Sequence, residues 1–275
     1  MPHKFIPPAQ LLTSLGISQP DGIDLQAIAR LCGAEIRYEP LTGCEARIIG
    51  FEDRAIITVN SNSSVPRQRF SVGHELGHWM HDRGHAALSC TETQLNADWF
   101  TDNPEKRANR YAADLLLPVG MFRARAENQP VTFGTVDRLA TTFQTSITAT
   151  AIRLVEYGPL PSMVICTDLR IRKWFTRSKV LPESLRLNDL PGRLTGAFQL
   201  QTPGSLPQGP VVIKASEWIN HPRAGRYVVT EDSIRITSEL ILTLLWWEDE
   251  GQLLDLEEEE EDDDAESERD PFDLD

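Results

Sequence analysis

The sequence predicts an α+β fold, and three observations carry that prediction. Two segments with helical periodicity, residues 64–82 and 104–118, are bounded by capping residues and prolines. Three short segments, AEIRYEP, CEARIIG and DRAIITVN, read as strands of a small sheet ahead of them. After residue 210 the runs VVIKASEWI, GRYVVTEDSIRI and LILTLLWWED supply a second set of strand-like or buried segments. The expected organisation is a first domain over residues 1–130, a helix-turn-helix-like segment over 131–158 and a smaller α+β domain over 159–254. An acidic tail follows over 255–275, expected to be disordered.

The chain has 275 residues, ample for a core of apolar side chains. No apolar run approaches the ~20 residues needed to span a bilayer, and MPHKFIPPAQ lacks a secretory hydrophobic stretch. Cys32, Cys44, Cys90 and Cys166 show neither C-x-x-C nor a pairing spacing, which fits a reducing cytoplasm and no membrane. The net charge of −14 is concentrated in residues 255–275, where fourteen acids face Arg269 alone. The tail therefore carries −13 and the remaining chain only −1. A block such as EEEEEDDD repels itself and stays extended. It reads as a solubilising tail, or as an acidic mimic of DNA that recruits or screens a basic partner.

Residues 8–32 read as two short helices, PPAQLLTSLG and DLQAIARLCG, the second capped by Asp24 and stopped by Gly33. The strands follow, CEARIIG and DRAIITVN joined by a tight FED turn, and either could be the open edge on which an extended substrate pairs. Then comes SVPRQRFSVGHELGHWMHD, with Ser63 or Ser64 as cap and Pro66 in the first turn. His74 and His78 stand four apart on one helix face, so two imidazoles can bind one ion from the same side. Glu75, about a quarter turn away, can reach a water on that ion without ligating it. Gly77 lets another element approach closely.

The next helix, PEKRANRYAADLLLP, starts at the Asn103 cap with Pro104 in its first position, and ends at Pro118. Ala108, Ala112 and Ala113 give it a small-residue flank. Packed on the first helix, it would bring Glu105 to the two histidines as a third ligand. Asn109, on the face of Glu105, is placed to hydrogen-bond a ligand. His81 is seven residues beyond His74, ~10 Å along the helix, so it fits a supporting or substrate-contacting role better than ligation. His85 follows Gly84 in a loop, and His3 and His221 have no partner motif. Between the helices GHAALSCTETQLNADWFTDN reads as a loop over the cleft, anchored by Trp99 and Phe100.

The run RQRFSVGHELGHWMH followed by E-x-x-A-N-R-Y-A-A-D-L-L-L-P resembles the ImmA/IrrE family of metallo-endopeptidases. Similarity spans roughly residues 8–157, with DLQAIARLCGAEIRYEPLTGCEARIIG sharing the family's look. The resemblance implies a minimal zincin-like peptidase domain, His74, His78 and Glu105 as metal ligands, and Glu75 as catalytic base. It also implies a bacterial cytoplasmic protease whose substrates are helix-turn-helix repressors, cut in a stress or mobile-element response. Gly73 stands where the family has alanine, a change expected only to soften the helix. Zinc is the default ion for two imidazoles and a carboxylate, although Mn2+ or Fe2+ also suit such a set. Tyr111 and His81 are both candidates for the group that stabilises the oxyanion.

Residues 133–157 read as two helices with a short turn and a buried face formed by Val136, Leu139, Ala140, Phe143, Ile147, Ala151, Ile152 and Val155. Arg138 and Arg153 are offset by Asp137 and Glu156, which argues against phosphate binding and for packing or repressor docking. PSMVICTDLRIRKWFTRSK reads as a hairpin with Thr167 and Asp168 near its turn. Its Arg170, Arg172, Lys173, Arg177 and Lys179, interleaved with Trp174 and Phe175, suit a nucleic-acid stripe, an acidic partner or the tail itself. Two rivals to the protease follow: a metal-dependent regulator that sequesters a repressor without cutting it, and a DNA-binding regulator. The sequence leaves the oligomeric state open.

Overall fold

The computed structural model describes residues 5–81, 88–90, 103–168, 170–253 and 255. The architecture is mixed α+β with two sheets. The chain divides into two compact units, one of residues 1–125 and 137–150, the other of 126–136 and 151–275.

The first unit opens with helices α1 (Pro8–Ser14) and α2 (Leu25–Leu31). Asp24 caps α2 as expected, its carboxylate accepting the Gln26 and Ala27 N–H groups. Gly33, at φ +77°, then turns the chain into β1 (Ala34–Glu39). A Cβ there would also lie 2.4 Å from the Asp53 carbonyl oxygen. Strands β2 (Ala46–Phe51) and β3 (Arg54–Asn60) form a hairpin whose turn puts Glu52 at φ 52°.

The sheet order is β1-β3-β2-β4, where β4 is Leu88–Cys90. β1 runs parallel to β3, and β2 pairs antiparallel with both β3 and β4. DRAIITVN and CEARIIG are therefore both interior strands, and neither is the outer strand on which an extended substrate was expected to pair. β2 is covered over Ala46–Ile48 by β4, a strand inside the stretch expected to be loop. The expectation for Trp99 and Phe100 lies outside the described residues, as do those for His3, His85 and the tail beyond Asp255.

Helix α3 (Val65–His81) lies across this sheet, and every residue from Ser71 to Met80 is buried. Val72, Leu76, Trp79 and Met80 join the core formed with Ile36, Ile48, Ile57 and Val59. Trp79 fixes the helix at a point: its indole N–H donates to the Cys32 carbonyl at 2.8 Å. Its ring lies where a Cβ on Gly50 would come within 2.5 Å, so β2 needs glycine there. Helix α4 (Pro104–Leu116) packs on α3 and is capped by Asn103, which accepts the Lys106 N–H at 2.7 Å. A further helix, α5 (Val119–Ala126), begins directly after Pro118 and was not expected.

Helices α6 (Phe133–Phe143) and α7 (Ile147–Tyr157) flank a turn at Gln144, φ 54°. Arg153 is buried, 3.4 Å from Glu156 and stacked over the Tyr157 ring.

The second unit is built on an antiparallel sheet of order β6-β5-β9-β8-β7: β5 (Ser162–Thr167), β6 (Arg172–Arg177), β7 (Val211–Lys214), β8 (Val228–Arg235) and β9 (Ile241–Trp246). The expected hairpin is β5–β6, and Asp168 organises its turn. Its Oδ1 accepts the Arg170 and Ile171 N–H groups, and its Oδ2 lies 2.9 Å from Lys173 Nζ. The bond from Lys173, helped by those N–H groups, brings the carboxyl down to about 2. A short helix, α8 (Gly196–Gln199), interrupts the expected loop of 181–210.

Strand β8 buries four consecutive polar residues, Thr230, Glu231, Asp232 and Ser233. They are tolerated because donors meet them. Glu231 accepts from the Ala197 N–H, the Ser233 hydroxyl and the Trp218 indole. Asp232 accepts the Phe133 N–H at 2.7 Å, and burial pushes its carboxyl up. Among the described residues no helix is long and apolar enough to cross a membrane.

Candidate metal centre

The centre forms where α3 and α4 touch, and glycine decides how closely they touch. A Cβ on Gly77 would lie 2.8 Å from Ala108 Cα and 3.0 Å from the Ala108 carbonyl oxygen. A Cβ on Gly73 would lie 3.1 Å from both Cα and Cβ of Ala112. Gly73 thus belongs to the packing seam, contrary to the expectation that it only softens the helix. The two glycines, four apart on α3, face two alanines four apart on α4. Gly77, Ala108 and Ala112 carry this close packing in the sequence as expected, and Gly73 joins them at the same spacing.

The comparison of the two glycines gives a prediction. Gly→Ala gains roughly 1 kcal/mol of helix propensity, while overpacking costs roughly 1–3 kcal/mol. At Gly77 the obstacle is backbone, so the second effect wins. Gly77→Ala is expected to lower the thermal midpoint, whereas Gly73→Ala, with its looser contacts, leaves it nearly unchanged. Thermal unfolding of the two variants checks the difference.

The close seam delivers three donors to one place. His74 Nε2 lies 3.2 Å from Glu105 Oε2, His78 Nε2 lies 3.4 Å from Glu105 Oε1, and the two Nε2 atoms are 3.1 Å apart. The imidazole planes stand at 83°. Both histidines are buried and Glu105 is partly exposed. Among the described residues, these three form the one group of His, Cys, Asp or Glu side chains close enough to share an ion.

The set fits a divalent cation. Three corners of a tetrahedron around an ion at roughly 2.0–2.1 Å from each donor lie about 3.3 Å apart, close to the observed separations. His74 Nδ1 donates to Asn109 Oδ1 at 2.9 Å, which puts the ring proton on Nδ1 and leaves the Nε2 lone pair facing the centre. Glu105 supplies the third donor from its carboxylate.

Glu75 is wholly buried within α3, beside His74 in the chain. Phe70, one turn earlier, sets its ring 6.2 Å from that of His74. The remaining candidates are placed differently. The His81 ring stacks at 4.5 Å on Phe5 and meets Tyr111 edge-on at 6.3 Å. The Tyr111 hydroxyl donates to the Ile6 carbonyl. Both thus pack against the N-terminal segment, Tyr111 buried and His81 exposed.

Residues 30–155 match the peptidase family described as the IrrE N-terminal-like domain. The chain carries an IrrE N-terminal-like domain. That domain spans α3, α4 and the three donors, and supports a metal-dependent, peptidase-like role. Among solved structures, a Mycobacterium tuberculosis transcriptional regulator shares the fold, with TM-score 0.55 and 16% identity over 87% of this chain and 86% of that one. No curated protein matches the sequence.

Proposed function

We propose that this protein is a metal-dependent endopeptidase of the cytoplasm that hydrolyses a peptide bond in a helix-turn-helix repressor, relieving repression in a stress or mobile-element response. The observation that carries the reading is the triangle of His74, His78 and Glu105 donors, with an acid directly beside His74 in the chain. Zinc is the proposed ion. When bound, such a cation acidifies water and polarises a carbonyl oxygen. Asn109 keeps the His74 ring in the orientation and tautomer that ligation requires. Glu75 takes the proton from water at its carboxylate and passes it to the leaving amine.

The repressor as substrate rests on the resemblance to the ImmA/IrrE family, supported by a structural neighbour named as a transcriptional regulator. That name also favours a second reading, a regulator that holds a repressor without cutting it. Direct DNA reading through α6 and α7 is disfavoured because Arg153 is buried beside Glu156. Incubation with helix-turn-helix repressors, with and without chelator, separates the readings by intact mass. The protease yields two fragments that vanish with chelator, and an intact but bound repressor would contradict cleavage.

A further inference from the structure

The β5–β6 hairpin ends the second sheet on a basic strand. From Asp168 to Arg193 the sequence holds seven basic and three acidic residues. The guanidinium groups of Arg172 and Arg177 both lie over the Phe175 ring, 5.3 and 5.4 Å from its centroid. Their guanidinium groups donate to backbone carbonyls of Asn188, Pro182 and Glu183, which fixes them in place without cancelling their charge. Arg170 and Lys179 are exposed at the two ends. Among the described residues, Lys173 is the hairpin cation with a carboxylate partner, Asp168. β6 is also an edge strand, paired on one side with β5.

The register shows where the acidic tail begins relative to this strand. Gln252 accepts the Val228 N–H, and Asp255 accepts from the Tyr227 hydroxyl, so the chain leaves the start of β8. Thr230 pairs with Trp246, Trp246 with Ser162, and the Ser178 N–H donates to the Ser162 carbonyl. The start of β8, where the tail departs, and the end of β6, which leads to Lys179, therefore lie at the same end of the sheet, and the two strands are three strand spacings or roughly 14 Å apart. Residues 256–275 hold thirteen acids and one Arg. Twenty residues reach ~60 Å when extended, and β6 is only ~20 Å long. Length, point of departure and charge all suit the same strand.

We propose that residues 256–275 dock in cis along β6, their carboxylates lying over Arg170, Arg172, Arg177 and Lys179. The docked tail screens the hairpin from nucleic-acid phosphates and other polyanions. This assignment stands apart from the peptidase reading, since it uses none of the metal-centre residues.

Zero-length carbodiimide cross-linking of the full chain tests it, because the sequence has only five lysines. Lys214 pairs with Val228, next to the tail's root, and serves as the internal control for mere tethering. Docking predicts that tail carboxylates in the monomer link to Lys179 several-fold more than to Lys214. The excess should vanish near 1 M salt, where the screening length falls to ~3 Å. A second readout is amide exchange of 172–177, which should quicken several-fold when the chain is cut after Asp255. It should slow again when a peptide of residues 256–275 is added. Equal or greater linkage to Lys214, links only between two copies, or β6 exchange indifferent to the tail would each overturn the proposal. So would an oligonucleotide that slows β6 exchange equally with and without the tail.

Discussion

Glu75→Gln is expected to keep one divalent cation per chain while losing roughly 10²–10⁴ in cleavage rate, the usual worth of a general base. That loss corresponds to about 3–5 kcal/mol of transition-state stabilisation. The substitution removes a proton acceptor and keeps the shape of a buried side chain within α3. His74→Ala differs in kind. It deletes one corner of the donor triangle and should lose both the ion and the activity. The pair separates proton transfer from ion binding, provided metal content and rate are measured on the same preparations. A Glu75→Gln enzyme that cleaves as fast as wild type would contradict the proposed role.

The second large effect is expected at Asn109, which touches no substrate in this account. Asn109→Ala removes the acceptor for His74 Nδ1 and frees the ring to rotate. Groups that orient a ligating histidine this way are worth 10–100-fold in metal affinity. Asn109→Asp keeps an acceptor at the same place and should retain affinity. Competition against a chelator of known strength measures both variants. A purely structural role would weaken binding in both, so the contrast tests orientation of the imidazole and not helix packing alone.

What was legible in the sequence follows from what is local. The i,i+4 histidines need only a helix, and the helix was marked by its prolines and caps. Asp24 and Asn103 accept the N–H groups expected of them. The donor set required more, because Glu105 lies on a separate helix, and only the tight Gly–Ala seam brings it to His74 and His78. The strand order was not legible, since pairing depends on which edges meet in space. Helix α5 was missed because Pro118 reads as an end. It ends α4 and also starts the next helix, its carbonyl accepting the Phe122 N–H. The buried Glu231 and Asp232 were hidden for a related reason. Their donors come from Trp218, Ala197 and Phe133, remote in sequence.

The most direct test is metal content by native mass spectrometry and elemental analysis on the purified chain. One divalent cation per wild-type chain is expected, with none on the variant combining His74→Ala, His78→Ala and Glu105→Ala. A wild-type chain unable to hold a stoichiometric cation, or a triple variant that holds it as well, would contradict the metal centre.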